Sequence, residues 1–250
     1  MKKYTLPSFL SAFLLVVAVA CHSPYQTTSA KYDSYRIQAT AEKDEAVDKL
    51  LQPYRDSLNK SMNNVVGFLE TTLDKKQPEG SLGNFMADAL RIVAEKKFNT
   101  RVDVAFMNYG GIRLTQLAAG PITRGKIFEL MPFDNILVLQ KMTGEQLQNF
   151  LNHIASLGGW PVSGLTMQIK DKKAINIMIN GQPLNPTAVY TTANSDYVAN
   201  GGDDAAMLKA IPQQNMGYLM RDAFFEYISL LKQQGKNISA KEENRVTYAQ

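Results

Sequence analysis

Arg113 follows the pair Gly110-Gly111, and Asn135 follows Pro132, Phe133 and Asp134. These residue types fit one kind of ligand. A guanidinium forks onto phosphate or carboxylate with two parallel hydrogen bonds, where an ammonium makes a point contact. Paired glycines let the backbone bend sharply and approach a ligand closely. A flat ring beside an amide suits a planar heteroaromatic base, since the ring stacks and the amide bonds the base edge. Together they imply a pocket for a nucleoside carrying phosphate.

Other chemistry finds little support. The chain has two histidines, His22 and His153, and one cysteine, Cys21. A two-metal phosphatase needs several His, Asp and Asn ligands around ions roughly 3.5–4 Å apart. His153 has no Asp or Glu at helical spacing and reads as a surface or helix-packing histidine. There is no Gly-x-Ser-x-Gly elbow and no phosphate loop of the Gly-x4-Gly-Lys type. No catalytic residue is therefore assigned.

The elements that must hold these residues are legible in outline. Val47, Leu50, Leu51, Tyr54, Leu58 and Met62 share a helical face, with Pro53 expected to kink or split that helix. Residues 65–73 read as one strand. Ser81 is placed to cap a helix carrying Leu82, Phe85, Met86, Ala89, Leu90 and Val93 at core spacing. Val102, Val104 and Phe106 form a strand entering the Gly110-Gly111 turn. Residues 136–141 are strand-like, and Thr143 caps a helix to about Ala155. Residues 165–169 and 174–179 pair as a hairpin, with a turn at Asn180-Gly181. Residues 189–193 form a strand leading to Asp196-Tyr197 and Gly201-Gly202-Asp203. Leu219, Ala223, Tyr227, Ile228 and Leu231 stripe a last helix, and residues 245–248 close as a strand. Asp88 and Arg91 read as structural polar contacts. Mixed elements and tight turns give an α+β domain with a mixed β-sheet packed with helices.

The amino terminus differs from the rest. Lys2 and Lys3 precede an apolar run from Phe9 to Ala20, and Ala18-Val19-Ala20-Cys21 ends it. This resembles the lipobox of bacterial lipoproteins, with Cys21 as the lipidation site; a cleaved secretory signal with a stray thiol is the alternative. The expected division is signal peptide at 1–20, tether at 21–40 and one domain at 41–250. The expected location is the bacterial cell envelope, reached through a lipid anchor at the membrane. Net charge is +4. Without Lys2 and Lys3 there remain 25 basic and 23 acidic residues. That balance and the lack of a basic stripe argue against nucleic acid as partner.

Five segments in order carry a family resemblance: Leu82-Gly83-Asn84-Phe85-Met86-Ala87-Asp88-Ala89, Asn108-Tyr109-Gly110-Gly111-Ile112-Arg113, Met131-Pro132-Phe133-Asp134-Asn135, Met142-Thr143-Gly144, and Asp196-Tyr197 to Gly201-Gly202-Asp203. Over residues 41–250 the chain resembles the C-terminal domain of the 5′-nucleotidase and UDP-sugar hydrolase family. In that family a separate N-terminal metallophosphatase domain hydrolyses the phosphate ester, and the C-terminal domain binds the nucleoside between two rings. The resemblance implies Phe133 and Tyr197 as the rings, Tyr197 standing where Phe is usual. It implies Asp203 as the ribose contact, Asn135 and Asn108 as polar contacts, Arg113 as the anionic contact and Gly158 as a close backbone approach. Family arginines before the Leu-Gly-Asn helix are replaced by Lys75 and Lys76, which bind an anion with less directional grip.

The resemblance implies no cofactor in this chain and divalent metals in a partner. The leading expectation is the nucleotide-binding part of a split 5′-nucleotidase acting with a separate metallophosphatase chain. A nucleoside-capturing envelope lipoprotein, and a surface protein that has lost its pocket, are the rivals. Trp160, beside Gly158, is expected at the pocket.

Overall fold

The computed structural model describes residues 29, 31–33 and 44–250. The signal peptide, Cys21, His22 and the 21–40 tether expected above lie outside the residues described as elements. The chain divides into residues 1–49 and 50–250, and among the described residues every sheet and the site lie in the second unit. No helix among the described residues is long and apolar enough to cross a membrane.

One five-stranded sheet positions the site. Its members are β3 (Val104–Phe106), β6 (Ile136–Thr143), β7 (Val162–Ser163), β11 (Val189–Ser195) and β12 (Gln213–Leu219), in the order β12-β6-β11-β3-β7. β3 and β11 run parallel and the other pairs antiparallel, which makes the sheet mixed, as the sequence implies. Side chains alternate across a strand, and β3 shows the result. Ala105 and Met107 join one core, while Val104 and Phe106 join the other. Both faces of the sheet are therefore covered.

Helix α2 (Ser81–Phe98) and helix α6 (Met220–Gln233) pack in the first core. Leu82, Met86, Leu90 and Val93 are fully buried on α2, in keeping with their helical spacing. Each such side chain contributes about 1.5–3 kcal/mol by leaving water. The second core holds helix α4 (Gly144–Ser156) and a four-stranded sheet of β8 (Leu165–Lys170), β9 (Lys173–Ile179), β10 (Gln182–Pro183) and β13 (Val246–Tyr248). Thr143 caps α4 in a full capping box: its hydroxyl accepts from Gln146 N, and Gln146 Oε1 accepts from Thr143 N. The β8–β9 hairpin turns on Asp171 and Lys172, both left-handed. Asn180-Gly181 makes the next turn the same way.

The carboxyl end of α2 is fastened to α6 by charge. Glu226 lies 3.0 Å from Lys96 Nζ and 2.7 Å from Lys97 Nζ. It also accepts from the Tyr218 hydroxyl at 2.8 Å. Burial alone would raise its pKa, but the three hydrogen bonds outweigh that and hold it at about 2. A carboxylate with a depressed folded-state pKa stabilises the fold above its unfolded pKa and loses that contribution as pH falls through the folded value. Acid denaturation should therefore show a step between about pH 4.5 and 2. In Glu226→Gln this step should shrink by on the order of 2 kcal/mol, allowing for exposed lysine partners. Urea melts at pH 7 and pH 3 measure it.

The structure corrects three sequence expectations. Residues 65–73 form two strands, β1 (Val65–Leu69) and β2 (Leu73–Asp74). They belong to separate two-stranded sheets, with β5 (Gly120–Thr123) and β4 (Gln116–Leu117) as partners. Leu69 and Leu73 are both fully buried, which fixes the intervening polar residues as a bend. At α2 the cap position is Gly80, while Ser81 Oγ accepts from Asp74 N at 3.0 Å. Of the kink or split expected at Pro53, the split does not occur: helix α1 (Glu45–Met62) runs through it. No residue of α1 is buried, so water can satisfy the carbonyl that Pro53 leaves unpaired. The apolar stripe of α1 is exposed, with Leu50 and Tyr54 each 68 % accessible.

Candidate functional site

Strand direction gathers the site at one edge of the five-stranded sheet. The parallel strands β3 and β11 end there, and the antiparallel β6 begins there. β3 leads to Asn108 and the Tyr109–Gly111 turn. β11 leads to the short helix α5 (Asp196–Ala199), and β6 is preceded by Phe133 and Asn135. Asp196 ties two of these ends together, because one carboxylate oxygen accepts from Ile136 N and from Tyr197 N, both at 2.9 Å. A cavity of about 270 Å³ opens here, lined by Asn108, Gly110, Gly111, Arg113, Phe133, Asn135, Tyr197 and Asp203. Six of the seven binding residues expected from sequence thus meet around one space.

Asp203 is the most constrained of them. Its φ of 51° is left-handed, a conformation that costs a non-glycine residue energy and persists only where neighbours impose it. Three side chains do so. Asn108 Nδ2 donates to Oδ2 at 2.7 Å, and the Tyr197 hydroxyl donates to Oδ1 at 2.9 Å. His153 Nε2 lies 2.8 Å from the Asp203 carbonyl, an acceptor, so Nε2 carries the proton. Asp203 N in turn donates to the Tyr197 oxygen at 3.2 Å. The bond to Asp203 leads the causes that raise the Tyr197 pKa. Asn108 is itself buried, and its Oδ1 finds no partner among the described residues. A Cβ on Gly111 would stand 2.6 Å from that oxygen, so a larger residue there would have to displace the Asn108 side chain.

The Phe133 loop is held from beneath by Arg221, a residue the sequence reading did not single out. Arg221 Nη1 donates to the carbonyls of Met131 (3.3 Å) and Phe133 (3.1 Å), and Nη2 pairs with Asp134 at 2.5 Å. Its guanidinium also lies 4.2 Å from the centre of the Phe128 ring. The next hold is backbone: Met220 N donates to Asn135 O at 2.8 Å. Phe133 itself remains 37 % exposed and Tyr197 46 % exposed, so both rings offer surface to a ligand.

Arg113 supplies the cation of the cavity lining. Arg113 places its guanidinium carbon 5.4 Å from the Phe133 ring centre and donates to Gly110 O at 3.3 Å. Lys75 donates to Ile112 O at 2.8 Å and lies over the Tyr109 ring. Burial first, and then the charge of Arg113, lower the Lys75 pKa. Lys76 instead pairs with Glu242 at the surface. Neither lysine lines the cavity; Lys75 packs behind the Tyr109–Gly111 turn.

Gly158 stands outside the cavity lining. A Cβ on Gly158 would meet the Gln77 side chain, which donates to the carbonyls of Leu157 and Gly159. Trp160 is also not at the cavity. It is 2 % exposed and packs edge-on against Phe150 and His153. His153, expected as a surface or packing histidine, does pack against Trp160 but also braces Asp203. Among the described residues no group of three or more His, Cys, Asp or Glu is placed to hold a metal ion. These residues do not fit a dimetal hydrolytic centre, and no hydrolytic step is assigned to them. What the arrangement can do is stack a planar base, accept hydrogen bonds from hydroxyls and hold an anion.

Comparison with known proteins points the same way. Residues 61–210 match the family model described as 5′-nucleotidase, C-terminal domain. The chain is 28 % identical over 243 residues to the trifunctional nucleotide phosphoesterase protein YfkN of Bacillus subtilis, covering 88 % of this chain and 16 % of that protein. It is 30 % identical over 143 residues to protein UshA of Escherichia coli, covering 55 % of this chain and 26 % of that protein. The crystal structure of a 5′-nucleotidase precursor from Thermus thermophilus superposes with a TM-score of 0.71 at 25 % identity, covering 83 % of this chain and 44 % of that one. The chain therefore spans less than half of each of these proteins. Fold and matched residues together make this chain a member of the 5′-nucleotidase C-terminal domain family.

Proposed function

We propose that this chain is the nucleotide-binding part of a split 5′-nucleotidase, serving nucleotide breakdown at a bacterial cell envelope. It holds a nucleotide by base and sugar so that a separate metallophosphatase chain, carrying the divalent metals, can hydrolyse the phosphate ester. The observation that carries this reading is the cavity itself, where two exposed rings, a braced carboxylate and a guanidinium converge. Arg113 supports it, because its guanidinium lines the cavity beside the Phe133 ring, where it can meet an anion. Holding the reacting group in place lowers a barrier without any chemistry from this chain. Lipidation at Cys21 would keep both partners on one membrane surface, where the effective concentration of one for the other is high.

The test is phosphate release from AMP by a metallophosphatase chain that has no nucleoside-binding domain of its own, taken from the same genome. Adding the full chain should raise kcat/KM for AMP by at least tenfold, of the order that orientation can supply. Arg113→Ala should remove most of that gain. An unchanged kcat/KM at saturating concentrations of this chain would sink the split-enzyme reading.

A further inference from the structure

We infer that the Tyr197 hydroxyl is a specificity-determining group, which by fixing the Asp203 carboxylate makes the site select nucleosides with both 2′- and 3′-hydroxyls free over 2′-deoxynucleosides. The inference rests on the nucleotide-binding reading above and on the ribose contact that the resemblance implies for Asp203, and what it adds is the residue that sets that contact.

The observation is that Tyr197 does two jobs with one side chain. Its ring lines the cavity, and its hydroxyl is engaged twice by the same residue, donating to Asp203 Oδ1 and accepting from Asp203 N. That hydroxyl has no free donor left for a ligand. Its effect on a ligand must therefore pass through Asp203. The ring is fixed as well: a Cβ on Gly202 would stand 2.4 Å from its edge, so the ring lies directly on that glycine.

Asp203 is thereby left with a defined remainder. A carboxylate offers about four lone-pair directions. Tyr197 takes one on Oδ1 and Asn108 takes one on Oδ2. Each oxygen keeps capacity for one more donor, and Asp203 lines the cavity. Two acceptors on adjacent oxygens of one carboxylate match two donors on adjacent carbons, which is a vicinal diol. A 2′-deoxyribose supplies only one of them. The missing donor leaves one oxygen of a constrained carboxylate short of a partner, and sites built to receive a hydroxyl discriminate strongly against its absence.

A phenylalanine at this position would keep the stacking ring and lose the tether. Asp203 would then be held on one oxygen by Asn108 and could rotate. The two acceptors would no longer be presented together, and the loss would fall on the ligand that uses both.

The experiment is calorimetric titration of the full chain and its Tyr197→Phe variant with adenosine and 2′-deoxyadenosine, repeated in an Asp203→Ala background. Native-like thermal melting of each variant is the check on folding. Wild type should prefer adenosine by roughly tenfold or more, the scale of one hydrogen bond to a charged group. Tyr197→Phe should bring the two affinities to within about threefold by weakening adenosine, with 2′-deoxyadenosine nearly unchanged. In the Asp203→Ala background Tyr197→Phe should change neither. An adenosine preference that survives Tyr197→Phe, equal weakening of both ligands, or equal affinities in wild type would overturn the inference and leave the nucleotide-binding reading standing. Failure of wild type to bind either nucleoside would overturn the reading on which it rests.

Discussion

Replacing Phe133 with alanine is expected to weaken AMP binding roughly ten- to a hundredfold, because stacking one base on one aromatic ring contributes about 1–3 kcal/mol. The same change should leave stability almost untouched. Phe133 is 37 % exposed and belongs to neither core, so truncating it opens no internal cavity. Arg113, whose guanidinium lies over the Phe133 ring, stays in place through its backbone bond to Leu130 O. The signature is thus a large loss of affinity with an unchanged melting temperature. A core role for the ring would give the reverse, and melting curves beside titrations of one preparation separate the two.

The second large effect lies out of reach of the ligand. Arg221→Met should cost about 2–3 kcal/mol of stability, from the loss of charged hydrogen bonds to buried carbonyls and of packing on Phe128. For a domain of this size that is a fall of roughly 5–10 °C in Tm. The cost stays below that of breaking a fully buried pair, because the Asp134 side chain is 77 % exposed and water solvates it once released. Asp134→Ala should accordingly cost less than about 1 kcal/mol. Arg221→Met should also weaken AMP binding, since the carbonyl of Phe133 loses the donor that sets the loop. Arg221→Lys should recover little of either, because an ammonium cannot reach two carbonyls and a carboxylate in one plane. Thermal melts and titrations of the three variants measure these differences.

How much of this was visible in the sequence follows from the kind of contact involved. The buried stripe of α2 and the alternation of β8 and β9 are periodic signals, and the structure contains both elements. β12 was missed because it is an edge strand whose residues Gln214, Asn215, Met216 and Gly217 are exposed, leaving no apolar alternation to read. The cavity residues were found through motif order rather than periodicity, and the ends of β3 and β11 and the start of β6 do bring six of them together. Gly158 followed from the same motif logic, yet it packs against Gln77, a contact across 81 positions that no local pattern announces. His153 reaches Asp203 across a separation of 50 positions and leaves no local trace. Arg221 did leave one. It is a cation in the first turn of a helix, where the dipole disfavours it, next to buried Met220. Such a placement needs a compensating acceptor, and the Met131–Asp134 loop supplies three.

The central claim, that the cavity at the end of the five-stranded sheet holds a nucleotide, is tested most directly by calorimetric titration of the full chain with AMP at two temperatures. Saturable binding at one site per chain is expected, displaced by adenosine and weakened roughly ten- to a hundredfold in Phe133→Ala. Absence of heat at both temperatures up to millimolar AMP, or saturable binding that Phe133→Ala leaves unchanged, would contradict it.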